Sequence, residues 1–282
     1  MSSNTGVNIV LFSGGLASFE VGRRVISKYG MKKVEFWFFD TLIEDVGLYR
    51  FLRECESKLN MRIERFSDGR NPWQVFRDER FIGNSRVPLC NRVLKRELLE
   101  RLLRIRFPNK DVVLYMGYEW HETHRMAKAR RRWKAKGYAV DFPLERPPFL
   151  NSTDLKGIAE SEGVEVPRLY RMGFGHNNCG GACVQAGVGQ WSLLWRVLPN
   201  RFLWHEEQEQ LTRAYLQKDV SILRDRAGGK TRPLTLRELR SRLRSDEELT
   251  ESVQLIDQAL VLAPIEEEVT YGDQINSRQW LC

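Results

Sequence analysis

The stretch Val7-Asn8-Ile9-Val10-Leu11-Phe12-Ser13-Gly14-Gly15-Leu16-Ala17-Ser18 (VNIVLFSGGLAS) reads as a buried strand, a glycine turn and the start of a helix. A short, nearly continuous apolar run is the pattern of a strand covered on both faces. After the turn, residues 18–29 keep helical spacing. Glycines at such a junction let backbone N–H groups face one point, and the helix N-terminus adds partial positive charge. With the hydroxyls of Ser13 and Ser18, the turn is a candidate anion cradle. The alternative is a plain strand-to-helix turn with Ser18 as N-cap. It is neither of the two common phosphate loops, GxGxxG or GxxxxGK[ST]. Gly228-Gly229-Lys230-Thr231 fails as the second kind. Arg224 stands where its first glycine belongs, and Pro233 blocks an immediate helix, so it reads as a turn.

Working outward, strands and helices alternate. Residues 34–39 (VEFWFF) give a second strand, closed by Asp40 and Thr41. Residues 44–60 give a helix with Leu48, Phe51, Leu52, Cys55 and Leu59 on one face. A weaker strand at 61–66 follows, then a helix at 91–106 and strands at 111–118 and 138–143. This order predicts an α/β fold with a doubly wound parallel sheet. Ligands of such sheets gather beyond the C-terminal strand ends, where Ser13, Asp40 and Gly117 all fall. From residue 145 the chain is rich in Gly and Pro, and helical character resumes at 191–198. Beyond 203 it reads as charged helix, broken by RDRAGGKTRP, and it ends in an acidic, polar tail. The expected organisation is a nucleotide-binding domain at 1–145, a Gly/Cys-rich loop module at 146–200 and a helical C-terminal extension at 201–282.

Of the 282 residues 42% are hydrophobic, enough for a packed core, which excludes wholesale disorder. No apolar run reaches the length of a membrane span, and the first residues lack a signal-peptide pattern, so a cytoplasmic protein is expected. The 5 cysteines cannot all pair and read as thiols or metal ligands. A net charge of +8 suits polyanionic partners such as nucleotides or nucleic acid.

SGGLAS after the first strand resembles the SGGxxS turn of PP-loop ATP pyrophosphatases, and within them the phosphoadenosine-phosphosulfate (PAPS) reductase group. Other positions agree in order. Asp40-Thr41 resembles the Asp-Thr after the second strand. Cys90-Asn91-Arg92-Val93-Leu94-Lys95 resembles the Cys-x-x-x-(L)-K segment that opens a helix. The stretch from Gly117 to Arg125 resembles G-x-R-x-x-E-S-x-x-R, with Glu119 in place of the first Arg. The resemblance covers about residues 7–183 and implies the adenine nucleotide alpha-hydrolase fold. It further implies ATP with Mg²⁺ held by Ser13, Gly14, Gly15, Ser18, Asp40, Gly117, Glu122 and Arg125, with Lys95 and Asp40 near the chemistry. Ala17 stands where many members carry Asp; Asp40 or Asp45 could supply the metal-facing carboxylate instead. The redox tail of thiol-dependent PAPS reductases is absent.

Cys90, with Cys179-x-x-x-Cys183 in the Gly-rich segment, offers three thiolates from two regions. That set suits a [4Fe-4S] cluster with one iron left open, as in the tRNA thiolation and DNA phosphorothioation sulfurtransferases that the chain resembles. The same residues with His176 could hold Zn²⁺, or the thiols could be free. Cys55 reads as core, and Cys282 has no assigned role.

The segment 124–136, HRMAKARRRWKAK, could meet tRNA or DNA phosphates, with Trp133 stacking on a base. The competing reading is a solvated amphipathic helix with Met126, Ala129 and Trp133 packed inward. His121 and His124 read as surface or capping residues. Arg168 and Arg171 could join Lys95 at nucleotide phosphates or be surface charge. Trp191, Trp195 and Trp204 read as core or interface. The leading expectation is an ATP-dependent adenylating enzyme that releases pyrophosphate, with Cys179 and Cys183 in sulfur transfer. Alternatives are an APS/PAPS reductase-type oxidoreductase and a catalytically impaired nucleotide- or nucleic-acid-binding subunit.

Overall fold

The structure, a computed structural model, describes residues 6–244. Five parallel strands form one sheet: β1 (Val7–Leu11), β2 (Val34–Asp40), β3 (Ile63–Ser67), β4 (Val112–Met116) and β5 (Ala139–Asp141). Their order is β3-β2-β1-β4-β5. The chain winds one way from β1 to β3, then returns to place β4 on the other side of β1. The crevice between the C-terminal ends of β1 and β4 is therefore the topological switch point, where such sheets bind ligands. The α/β class and parallel sheet expected from the sequence are present.

Helices α1 (Leu16–Tyr29) and α2 (Val46–Leu59) cover one face, joined by α6 (Ser152–Ser161). Helices α4 (Leu98–Arg106) and α5 (Thr123–Ala135) cover the other through Leu99, Leu103, Met126 and Trp133. Aromatic rings fill both faces. Phe12, Phe36 and Phe51 meet on the face that α1 and α2 cover, and Trp37 packs at a tilt on Phe66, itself stacked on Phe39, on the opposite side. Cys55 is fully buried among the first set, as its place on an apolar helix stripe predicts.

A third apolar cluster lies at the sheet's edge. It joins α3 (Pro72–Asp78), Leu89, Cys90 and Leu94 to α8 (Val188–Val197), α9 (Pro199–Leu216) and α10 (Leu236–Arg244). The Gly/Cys-rich segment and the C-terminal helices thus share one core, in which Trp191 and Trp195 are buried while Trp204 is exposed. Several local readings change. The stretch after residue 145 holds α6 and the short α7 (Arg168–Arg171), and α3 carries its own capping box from Asn71 and Gln74. RDRAGGKTRP is a hairpin of β6 (Leu223–Asp225) and β7 (Arg232–Leu234), turning at Gly228 and Gly229 with positive φ. The acidic tail and Cys282 lie outside the described residues. Among the described residues no helix is long and apolar enough to cross a membrane.

Candidate functional site

The glycine turn sits at the C-terminal end of β1. Gly14 has φ +77, and a Cβ there would lie 2.7 Å from Leu48, so neither the conformation nor the space admits another residue. Gly15, rather than Ser18, is the N-cap of α1. Ser18 Oγ donates to the Gly15 carbonyl at 2.7 Å, and Ser13 Oγ donates to Ser18 Oγ at 3.3 Å. Gly117, just past β4, lies against this junction: a Cβ on it would be 3.0 Å from the Ser18 nitrogen. The two arms of the switch point therefore touch through backbone alone. Among the described residues no acceptor meets the amides of Gly14, Gly15 and Ala17, and the Leu16 amide reaches only the Tyr170 hydroxyl, at 3.5 Å. Free amides at a helix N-terminus are the donor set that a phosphate needs.

The cysteine segment is fastened to this turn. Asn177 is buried, its amide nitrogen donates to the Gly14 carbonyl at 2.9 Å, and its Oδ1 has no partner. Cys179, at φ 53, donates its backbone N–H to the Glu44 carboxylate. Arg201 of α9 donates to the carbonyls of Ile43 (2.8 Å) and Glu44 (3.1 Å). Its guanidinium lies so close to Gly180 that a Cβ there would stand 2.1 Å from its central carbon. Cys90 opens the π-helical stretch Asn91–Glu97, which continues into α4 and carries Lys95. A wide turn of this kind often re-aims side chains at functional positions.

Lys95, Glu44 and the three sulfurs form one electrostatic group. Lys95 Nζ is 3.9 Å from Glu44 Oε1, which also accepts from Thr41 Oγ1 at 2.8 Å. Burial alone would lower the Lys95 pKa, yet facing Glu44 and the cysteine sulfurs it is held above its ordinary value. Burial raises the Glu44 pKa against the opposing pull of Lys95. Cys179 and Cys183 are hydrogen-bonded. That bond, with burial and the Glu44 carboxylate, pushes Cys179 up, while Cys183 is lowered to about 6. Burial raises Cys90 to about 11, and Cys183 adds to the rise. Sequence reasoning missed Glu44. Its signal was a carboxylate three residues after the Asp40-Thr41 pair.

The three sulfurs suit soft-metal ligation by donor chemistry. Among the described residues, however, no three His, Cys, Asp or Glu side chains already form a metal cage, and His176 is exposed. Asp40, at the end of β2, accepts from Tyr49 Oη at 3.0 Å and from the Leu42 amide at 2.7 Å. Asp45 is not a free metal-facing carboxylate. It caps α2, and Arg168 grips it in a bidentate pair at 2.8 and 2.9 Å, with Arg201 3.5 Å away. Burial opposes the charge, but Arg168 outweighs it and holds the Asp45 carboxyl below its usual value. Arg168 thus supports the site through Asp45, and Arg171 pairs with Glu165. Glu122 accepts from the Glu119 amide and pairs with Arg125, whose guanidinium lies 4.6 Å from the centre of the Tyr118 ring.

On α5 the inward reading holds: Met126, Ala129 and Trp133 are buried, so Trp133 is not a base-stacking surface. His121 and His124 are exposed. No protein-family model and no curated protein matches the chain.

Proposed function

We propose that the chain is an ATP-dependent, PP-loop-type enzyme that adenylates a nucleobase or nucleic-acid substrate, releases pyrophosphate and serves sulfur transfer. The observation that carries this reading is the convergence of two segments far apart in sequence. Asn177 fastens the Cys179–Cys183 loop to the Gly14 carbonyl, so thiols gather beside free amides at a strand-end crevice.

The amides of Gly14, Gly15 and Ala17 and the Ser13 and Ser18 hydroxyls would bind the ATP phosphates, and the Gly117 junction sets how closely they approach. A substrate oxygen attacks the α-phosphorus. The bond to the β-phosphate oxygen breaks and pyrophosphate departs; Asp40 would hold the Mg²⁺, which would supply positive charge to the leaving group. A sulfur nucleophile then attacks the carbon bearing the adenylated oxygen, and AMP leaves with that oxygen. Lys95 would steady negative charge on the sulfur side, and Glu44 holds both Lys95 and the Cys179 backbone in place. A cluster or metal held by Cys90, Cys179 and Cys183 would supply a soft centre for the incoming sulfur.

Anaerobically purified protein given ATP and bulk tRNA or DNA is expected to release pyrophosphate, and a Cys179→Ala variant to retain that release but lose sulfur incorporation. Sulfite formed from APS or PAPS without pyrophosphate release would replace this reading with the reductase one. Neither product would remove the enzyme assignment.

A further inference from the structure

Trp120 is 46% exposed and Phe149 57%, and the two rings contact each other at 5.9 Å between centroids, tilted by 56°. The edge of His121 adds to the Trp120 ring at 5.5 Å. Two large aromatic side chains left in water side by side are apolar surface that folding did not bury.

Their support is built. Arg24 of α1 donates to the carbonyls of Pro143 (3.0 Å), Arg146 (3.2 Å) and Pro148 (3.0 Å), while its Nε is held by Glu20 at 2.8 Å. The loop that presents Phe149 is therefore tied to the helix that opens at the glycine turn. Trp120 follows Gly117 by three residues, a span of about 11 Å at most, and Gly117 lies against Ala17 and Ser18. Trp120 therefore lies within that span of the junction between Gly117 and the start of α1.

Helix α5, which starts three residues after Trp120, is strongly basic. Arg125 and Arg130 are matched by Glu122 and Glu145, but Lys128, Arg131, Arg132 and Lys134 are exposed with no carboxylate partner among the described residues. Arg96 behind them is also short of partners. Its Nε is buried without an acceptor, and burial, then Arg132, lower its pKa. Unmatched guanidinium and ammonium groups on the helix that follows Trp120, together with exposed aromatic rings, fit a strand that carries both phosphates and bases. A duplex keeps its bases stacked inside and cannot use the rings.

We propose that Trp120 and Phe149 form a stacking platform for single-stranded nucleic acid, whose phosphates run along Lys128, Arg131 and Arg132. The platform presents an unpaired base to the crevice and so rests on the adenylating reading above.

The test is fluorescence anisotropy of a labelled oligothymidylate, an abasic strand of equal length and an oligothymidylate–oligoadenylate duplex. Trp120→Ala is expected to weaken oligothymidylate binding by about tenfold or more, as loss of one stacked base does, and Trp120→Phe to recover most of it. The abasic strand should bind the unaltered protein as weakly as oligothymidylate binds Trp120→Ala. Trp120 is exposed, and matching urea midpoints will show that the variants fold. Equal binding of abasic and base-carrying strands, or Trp120→Ala binding at full strength, would overturn the platform. So would stronger displacement by polyglutamate than by oligothymidylate, which would mark an acidic-protein surface. ATP titration of the unaltered protein reads the other claim separately. Heat with ATP but no oligonucleotide binding sinks the platform alone; Trp120-dependent binding without ATP heat sinks the adenylating reading alone.

Discussion

The Asn177 side chain donates to the Gly14 carbonyl at 2.9 Å, joining positions 163 residues apart. This one bond relates the cysteine loop to the glycine turn, because the amide nitrogen is buried and has nowhere else to donate. Asn177→Ala leaves the Gly14 carbonyl unmet and is expected to cost about 1–3 kcal/mol. Urea unfolding should show a lower midpoint at unchanged slope. An unchanged midpoint would mean that the tie contributes nothing.

Gly117 tests the close approach of the two strand ends. A Cβ at that position would meet the Ser18 nitrogen at 3.0 Å and the Ala17 carbonyl carbon at 3.1 Å, backbone atoms that cannot rotate aside. Gly117→Ala is expected to shift the start of α1, destabilise by about 1–3 kcal/mol and reduce ATP affinity in the protein that remains folded. Thermal scans and calorimetry read the two effects. A folded Gly117→Ala protein with full ATP affinity would rule out the proposed crevice.

Asp45 is the joint between α2, α7 and α9. Removing its carboxylate strands Arg168 and leaves Arg201 one partner short, so Asp45→Ala should cost about 3–5 kcal/mol. Because its folded pKa lies below the ordinary aspartate value of 3.8, its contribution is complete above that pH and is lost as pH falls below it. Unfolding free energies of the wild type and Asp45→Asn should therefore converge in acid. Curves that stay parallel would contradict the ion pair.

Glu209 gives the opposite sign. It is buried in the C-terminal core, where its oxygens accept the amides of Ile222 (3.1 Å) and Leu236 (2.7 Å). Burial pushes its pKa up to about 7 from 4.5. Between those values the unfolded chain releases the proton before the folded one, so stability falls as pH rises and levels off above 7. Relative to Glu209→Gln, the wild type should lose about 3 kcal/mol across that window. A pH-independent difference between the two would refute the assignment.

β1, β2 and β4 were legible as compact, largely apolar runs, and within residues 34–39 only Glu35 is polar. The glycine turn was legible because strand, Gly pair and helix follow in order. Helix α6 was hidden by the Pro-rich stretch before it, although its Asn151/Asp154 capping box is present in the sequence. Asn177 could not be found by spacing, since its partner Gly14 lies 163 residues away, and the tie from Glu44 to the Cys179 backbone likewise spans 135 residues. Trp133 and Trp120 were indistinguishable by composition. The helical phase of Met126, Ala129 and Trp133 buries one, and the strand-end loop exposes the other.

Binding of ATP at the glycine turn is the claim on which the rest stands. Isothermal titration of the folded protein with Mg²⁺-ATP, followed by amide shifts of Gly14, Gly15 and Ala17, measures it. We expect association tighter than about 1 mM, near −4 kcal/mol or better, with the largest shifts at those three amides. No heat at millimolar ATP, or heat with those amides unmoved, would contradict the account.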